Sequence, residues 1–511
     1  MPGDSPTVAE TLRRQARSRG DHPLLVCDDD RLGYAEADRR SAELARGLIA
    51  RGAGKGTHVG LLYPNGTEFV VGMLAAARIG AVVIPFSTFA TARELREQLV
   101  HSDTEILLAT TTFRSHDYER RLAEVLSRAD LDGDDRLLVT ATPQLRHVIL
   151  HPDRADAPSV GPALLAAMED DVDGCDPLAI VYTSGSTSTP KGVVHTHAGL
   201  LTHQRHLNEI RGLTPADKLF CNSPFFWIGG FAFGLLATLV AGSTLVCSNA
   251  SDAGQTLDLL EAERPTITNG FVAGIAHLAE HPSFPGRDLS SMRRGNLYPV
   301  MAPDVRPADP ELRHNMLGLT EAGSVVLLSG DESDQPESRR GSFGKPAPGF
   351  ETMIADPDAS GVGELCIRGP SMMQGYYKRS REECFDADGW FHTGDLVRAD
   401  ADGFFYFAGR LSGMIKTAGA NVSAAEVEKA ITKVTGADAH VLGIPDAKRG
   451  ELVAAVVVQP GLDESALRER LRETLSAYKI PKRIVAVPPA DVPLLSSGKV
   501  DLQRLRKLFD A

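Results

Sequence analysis

The stretch Ile180-Val-Tyr-Thr-Ser-Gly-Ser-Thr-Ser-Thr-Pro-Lys-Gly192 decides how the rest of the chain is read. A β-like apolar run ends in a loop of hydroxyls, and Pro190 and Lys191 follow at once. Such a loop offers backbone N–H groups and side-chain hydroxyls to phosphate oxygens, with a lysine to balance their charge. It is not the GxxxxGK(S/T) loop that opens a helix, because Val193 and Val194 carry on as a strand. A flexible Ser/Thr surface loop explains the hydroxyls but not the Pro-Lys-Gly that closes them.

Working outward, apolar runs alternate with helical patterns through the first half. Val59–Tyr63 reads as a strand, Glu68–Ile79 as a helix and Ala81–Pro85 as a strand; Ala92–His101 is helical and Ile106–Ala109 a strand. This rhythm predicts a layered α/β domain with a mainly parallel sheet. Residues 113–177, rich in Asp, Arg, Pro and Ala, read as a variable surface region, and a second α/β round runs from Leu178 to about Met316. From Gly341 to Phe407 short strands with Gly, Pro and Asp turns predict a small β-subdomain. Beyond Arg410 comes a smaller α+β unit, with a helix capped by Ser423 and Glu426. The expected domains are 1–409 and 410–511.

Length and composition bound the answer. A chain of 511 residues is too long for one ordinary core. With 42% hydrophobic and 24% charged residues it is globular. The net charge of −13 argues against a general nucleic-acid or anionic-membrane binder. Six scattered cysteines, none in a CxxC, suit a reducing compartment, and a cytoplasmic location is expected. Val8–Arg19 reads as an amphipathic helix rather than a signal peptide. Leu219–Ser251 carries no charge, but Gly229, Gly230, Gly234 and Gly242 break it up, so helix then strand is expected and not a membrane span.

Further segments recur in order. Thr183-Ser-Gly-Ser-Thr-Ser-Thr-Pro-Lys-Gly192, Asn315-Met-Leu-Gly-Leu-Thr-Glu321, Trp390-Phe-His-Thr-Gly-Asp395, Ala408-Gly-Arg-Leu-Ser-Gly-Met-Ile-Lys-Thr-Ala-Gly-Ala-Asn-Val422 and Ser496-Ser-Gly-Lys-Val500 together resemble the adenylate-forming, AMP-binding superfamily, in particular its acyl-CoA synthetases and fatty-acid–CoA ligases. The resemblance implies an ATP-dependent ligase. A carboxylate attacks the α-phosphate, pyrophosphate leaves, and the acyl group passes from acyl-AMP to a thiol. It implies that Thr183, Ser184, Gly185, Ser186, Thr187 and Lys191 hold the phosphates and Thr320 the α-phosphate. Glu321 would help hold Mg²⁺, which favours a carboxylate beside phosphates. Asp395 with Arg410 would hold the ribose, Lys499 would bridge the attacking carboxylate and the α-phosphate, and Ser412 would stand at a hinge. Lys416 and Gly419 would lie where relatives meet coenzyme A.

Read singly, Thr320-Glu321 is a helix cap, Asp395 a turn residue, and Arg410 and Lys499 solvated charges; the ordered set favours the catalytic reading. His195, His197, His203 and His206 have no acidic or cysteine ligand among them and read as core or solvated histidines rather than a metal site. The chain departs from the family pattern at Ser188, where glycine is common; at Leu317, where an aromatic often stacks on adenine; in Val300-Met-Ala-Pro303, which resembles the small-residue loop beside adenine only loosely; at Ser412, where lysine or aspartate is usual; and at Leu495, in place of threonine.

Asn222-Ser-Pro-Phe-Phe-Trp-Ile-Gly-Gly-Phe231 carries no acid to grip an α-ammonium, so an α-amino acid is disfavoured. Phe226 and Trp227 are candidate walls of an acyl pocket, and Gly318 is read as leaving room in it. Phe225, Phe226, Trp227 and Phe231 together suggest an apolar or aromatic acyl chain, and all four are equally well read as core. No DSL phosphopantetheine stretch is present, so coenzyme A is the expected acceptor. Loading of a carrier protein, and a non-catalytic nucleotide-binding regulator on the same fold, stay open as alternatives.

Overall fold

The first helix shows how local capping and long-range packing combine. Thr7 Oγ1 accepts the Glu10 N–H at 3.2 Å, and a Glu10 carboxylate oxygen accepts the Thr7 N–H at 3.1 Å. Val8–Arg19 therefore starts on a reciprocal cap. The Val8 N–H, a donor that a helix start leaves over, is taken by His197 Nδ1 at 3.2 Å. The computed structural model describes residues 5–127, 131, 136–150, 159–183, 191–411, 414–446, 448–493 and 500–510. They fall into a larger unit (1–88, 99–182 and 192–409) and a smaller one (89–98, 183–191 and 410–511).

The larger unit holds two mainly parallel sheets. One has seven strands in the order Gly375–Tyr376, Lys191–Thr196, Pro177–Thr183, Val82–Pro85, His58–Leu62, Ile106–Ala109, His147–Ile149. The other has six, in the order Arg294–Gly295, Ile267–Asn269, Lys218–Cys221, Thr244–Cys247, Pro23–Cys27, Asp30–Gly33. Thr67–Arg78 is buried at every position but Glu68, and one apolar core joins it to strands of both sheets. Nearly continuous apolar strands suit a parallel sheet covered on both faces.

Arg78 ends that helix at 4% exposure. Its guanidinium pairs with Glu169, with Asp38 and with Ser41 Oγ at 3.1 Å, and Arg13 meets the other Glu169 oxygen at 3.0 Å. Glu169 belongs to the region expected to lie on the surface, yet it is 6% exposed. A buried arginine needs a carboxylate, and Pro162–Asp170 supplies it.

The uncharged stretch after Leu219 resolves into the strand Lys218–Cys221, a continuous helical run from Ile228 to Ala241 and the strand Thr244–Cys247. Among the described residues no helix is long and apolar enough to cross a membrane. Within the run, Phe231–Leu236 is π-helical. The smaller antiparallel sheets follow: Leu317–Leu319, Ser324–Leu328 and Lys345–Pro346, then Glu351–Ala355, Gly363–Arg368, Phe391–Ala399 and Phe405–Arg410.

In the smaller unit Ser423 Oγ accepts the Glu426 N–H at 3.3 Å and caps Ala424–Thr435. The Glu426 carboxylate does not return to the cap. It meets Lys479 Nζ at 2.8 Å, and Glu94 meets the same nitrogen at 2.7 Å. Strands Ala420–Ser423, Met414–Thr417, Gly450–Val457 and Ala439–Asp446 form the sheet in that order, with Arg483–Ala486 parallel to Gly450–Val457. The fold is α/β with a large N-terminal and a small C-terminal domain.

Candidate active site

Thr320 and Glu321 stand on a single 3-10 turn, Thr320–Ala322, between the antiparallel strands Leu317–Leu319 and Ser324–Leu328. Gly323 closes the turn at φ +70°, a conformation that costs glycine nothing, and returns its N–H to the Thr320 oxygen at 3.0 Å. The same oxygen accepts from His195 Nε2 at 2.7 Å. A carbonyl only accepts, so the contact fixes the proton on Nε2. Burial pushes the His195 pKa down to about 4, so the ring is neutral at pH 7. His195 lies on Lys191–Thr196, the strand that leaves the hydroxyl loop. That strand therefore grips the Thr-Glu turn.

Two more bonds hold Glu321. Its carbonyl accepts the Met373 N–H at 2.9 Å, and its Oε1 accepts the Tyr376 hydroxyl at 2.6 Å. Tyr376 thus fixes one carboxylate oxygen and aims the other. A half-buried, oriented carboxylate fits a Mg²⁺ ion that takes one protein oxygen and completes its shell with phosphates and water.

Asp395 sits in a break of register. Cys366 pairs with His392 and Glu364 with Leu396, so Thr393, Gly394 and Asp395 bulge opposite Leu365. Bulges re-aim side chains next to functional sites. Three hydrogen bonds pin this one: Thr393 Oγ1 to the Leu365 oxygen at 2.7 Å, the Gly394 N–H to Glu364 Oε1 at 2.9 Å, and the Asp395 N–H to Thr393 Oγ1 at 3.0 Å. Asp395 is 1% exposed.

The loop that carries Phe226 and Trp227 is anchored by Asn65, whose Nδ2 donates to the Ser223 oxygen at 3.0 Å and whose Oδ1 accepts the Phe225 N–H at 2.7 Å. A side chain at Gly230 would put its Cβ 2.1 Å from the Pro224 oxygen, so the loop folds tightly onto the helix. Phe225 and Phe231 are fully buried and meet Phe69 edge-on, which makes them core. Trp227 is half-buried, with its ring edge-on to Phe226 (5.6 Å) and Phe271 (6.0 Å). Asn222 spends its amide on the backbone of Phe271, Nδ2 to O and N to Oδ1, each at 2.9 Å.

Gly318 also has a packing reason to be glycine. A Cβ there would stand 2.8 Å from the Ser324 oxygen, so glycine is needed for the close approach of the two strands. Leu317 is 2% exposed and packs in the core with Val326 and Leu327.

Thr183 ends the strand Pro177–Thr183 and Lys191 begins the next; both are half-buried. Arg410 ends Phe405–Arg410. Gly419, at φ +85°, turns the hairpin between Met414–Thr417 and Ala420–Ser423, and the Lys416 N–H donates to Glu451 Oε2 at 2.8 Å. Ser184, Gly185, Ser186, Thr187, Ser188, Ser412, Leu495 and Lys499 lie outside the described residues.

The four histidines after the loop divide. His195, His197 and His203 are core, and His203 lies edge-on to Phe350 at 5.1 Å. His195, Tyr376 and Glu364 support the site; the sequence reading took His195 only as a core or solvated histidine and did not single out the other two. The signals present were the proximity of His195 to the hydroxyl loop and the glycine before Tyr376.

Residues 12–377 match the AMP-binding enzyme family and residues 426–499 the AMP-binding enzyme C-terminal domain. The chain is 32% identical to a 3-(methyl-dioxo-octahydro-indenyl)propanoyl:CoA ligase of Mycobacterium tuberculosis, over 99% of this chain and 100% of the relative. It is 32% identical to a feruloyl-CoA synthase of Amycolatopsis sp, over 94% of each. Among solved structures it resembles the amide bond synthetase McbA from Marinactinospora thermotolerans, with TM-score 0.78, 25% identity, and 98% of this chain and 99% of that one covered. An oriented Thr-Glu turn, a bulged Thr-Gly-Asp and family matches over both parts of the chain lead to one conclusion: it belongs to the AMP-binding enzyme family, among the acyl-CoA ligases and synthetases.

Proposed function

We propose that this AMP-forming acid–thiol ligase activates an apolar or aromatic carboxylic acid with ATP and transfers the acyl group to coenzyme A. The observation that carries the reading is the Thr320-Glu321 turn, held from two sides by His195 and Tyr376. Such a turn presents a hydroxyl and a carboxylate before charge builds up at the phosphates, and pre-placed groups of this kind cost no reorganisation during the reaction. Thr183, Ser184, Gly185, Ser186, Thr187 and Lys191 take the β- and γ-phosphates, Thr320 the α-phosphate, and Asp395 with Arg410 the ribose. Mg²⁺ at Glu321 would neutralise phosphate charge.

Lys499 stabilises the adenylation transition state. Domains 1–409 and 410–511 work as a body and a lid, with Ser412 at the hinge and Gly419 on the face that meets coenzyme A. Trp227, Phe226 and Phe271 support an aromatic wall for the acid. The Asn222 amide is occupied by Phe271, and no acid lies in 222–231, which speaks against an α-ammonium substrate. Cys27 and Cys247 face each other across paired strands as thiols, which fits a reducing cytoplasm.

The test is ATP-dependent pyrophosphate release over a panel of acids, with and without coenzyme A. Release with an aromatic acid and formation of its CoA thioester is the expected result. Release without thioester, followed by transfer to a carrier protein or an amine, would overturn the acceptor. No release with any acid would favour a nucleotide-binding regulator. Lys499→Ala should lose adenylation and keep thioester formation from supplied acyl-adenylate; equal loss of both steps would refute this role.

A further inference from the structure

A second cluster lies in the four-stranded antiparallel sheet. Leu365 and Ile367 of the strand Gly363–Arg368 point into the apolar core, and Glu364 and Cys366 take the opposite face. The cross-strand partner of Cys366 is His392. His392 Nδ1 stands 3.4 Å from Cys366 Sγ and 2.8 Å from Glu364 Oε2, and the three ligand atoms all lie within 4.8 Å of one another.

A hydrogen-bonded reading accounts for only part of this. Nδ1 has one site, for either a proton or a lone pair. Its N–H answers Glu364 and leaves the Cys366 thiol with a 3.9 Å contact to the Glu364 carbonyl. A thiol donating to Nδ1 would instead leave the carboxylate against a lone pair. A cation at the centre of the three satisfies sulfur, nitrogen and oxygen together.

The spacing fits such a cation. Metal–sulfur and metal–nitrogen bonds of about 2.3 and 2.0 Å at a tetrahedral angle put S and N about 3.5 Å apart. The carboxylate oxygen would back off by about half an ångström. The other ring nitrogen, Nε2, faces Asp386 Oδ2 at 3.4 Å. Asp386 is itself fixed, its Oδ1 accepting the N–H groups of Asp388 (3.0 Å) and Trp390 (2.8 Å). A carboxylate behind a ligating histidine keeps the proton on the far nitrogen and turns the near one toward the metal. Mixed S, N and O donors select a borderline ion such as Zn²⁺ over Mg²⁺ or Ca²⁺, which want oxygen throughout.

We propose that Glu364, Cys366 and His392 form a binding site for a divalent transition-metal cation of the zinc class, separate from the Mg²⁺ that accompanies ATP. The bond to sulfur forms as the Cys366 S–H proton leaves to solvent. Three protein donors leave a fourth position for water. Glu364 also holds the Gly394 N–H through its other oxygen, so an occupied site would brace the bulge before Asp395.

The test is titration of the chelator-treated full-length protein with Co²⁺, read by the thiolate-to-cobalt charge-transfer absorption in the near ultraviolet. One equivalent should saturate the band, Zn²⁺ should displace it, and Cys366→Ser should abolish it. Asp386→Asn should weaken affinity about tenfold. No band, or a band unchanged in Cys366→Ser, would overturn the site. Should Cys366→Ser not fold, the exposed His392→Ala carries the test: the site requires a weaker, shifted band, and an unchanged one refutes it.

Discussion

His195 Nε2 donates to the main-chain oxygen of Thr320 across 125 positions of sequence, at 2.7 Å. The bond ties the strand leaving the hydroxyl loop to the Thr-Glu turn, so the two expected phosphate-binding segments share one support. His195→Ala would leave a buried carbonyl short of a partner and open a cavity. The orphaned group alone costs about 1–3 kcal/mol. We expect a less stable protein with a raised KM for ATP, and partial recovery of both in His195→Gln, which keeps a donor. Thermal unfolding and ATP-dependent pyrophosphate release check this; an alanine variant with normal ATP kinetics would make the contact purely structural.

Tyr376→Phe removes the hydroxyl that donates to Glu321. The phenyl ring keeps its edge-on contact with Phe391 at 6.4 Å, and the donor to Glu321 is lost. A hydrogen bond to a charged group contributes about 1.5–3 kcal/mol. The variant should lose about ten- to a hundredfold in kcat/KM for Mg-ATP with little change in Tm. A large fall in Tm with unchanged kinetics would place the hydroxyl in folding instead.

Acid should destabilise the protein early. Burial pushes His195 and His197 down to about 4 and His203 to about 3, against 6.5 when unfolded. A histidine depressed on folding is neutral in the native state while the unfolded chain takes up a proton. Its stabilisation is therefore complete above pH 6.5 and is lost as pH falls toward 4. Each contributes up to about 1.4 kcal/mol per pH unit. These three rings should give denaturation midpoints across this window a slope of about three protons, to which the smaller downward shifts of His22, His101, His116, His147 and His314 add, and His197→Gln should flatten it by about one. A flat profile down to pH 5 would mean that the rings are not held neutral.

Regular elements were legible in the sequence where periodicity and caps agreed. Val8–Arg19, Ala92–His101 and Ile106–Ala109 have the bounds read from the pattern, and the first two start on Thr7/Glu10 and Thr91/Glu94 caps. The glycines rightly broke the uncharged stretch into helix and strand, but π-helical winding at Phe231–Leu236 leaves no periodic mark in six residues. Glu169 was hidden because its meaning depends on Arg78, 91 positions away. In the site, the Thr-Glu and Thr-Gly-Asp segments were visible as motifs. Their supports at His195, Tyr376 and Glu364 were not, because each acts through a contact that only the tertiary fold creates.

Trp227 tests the substrate reading. Its ring meets Phe226 and Phe271 edge-on, and the Phe231 N–H donates to its carbonyl at 2.8 Å, so its backbone is fixed by the helix start. Trp227→Ala removes the aromatic surface and leaves that anchor in place. An aromatic contact of this type contributes about 0.5–1.5 kcal/mol beyond the area it buries. We expect kcat/KM for an aromatic acid to fall about tenfold or more relative to a short aliphatic acid, with ATP kinetics unchanged. Equal losses for both acids would show that Trp227 shapes the loop and does not select the acid, and the aromatic preference would then have to come from another wall of the pocket.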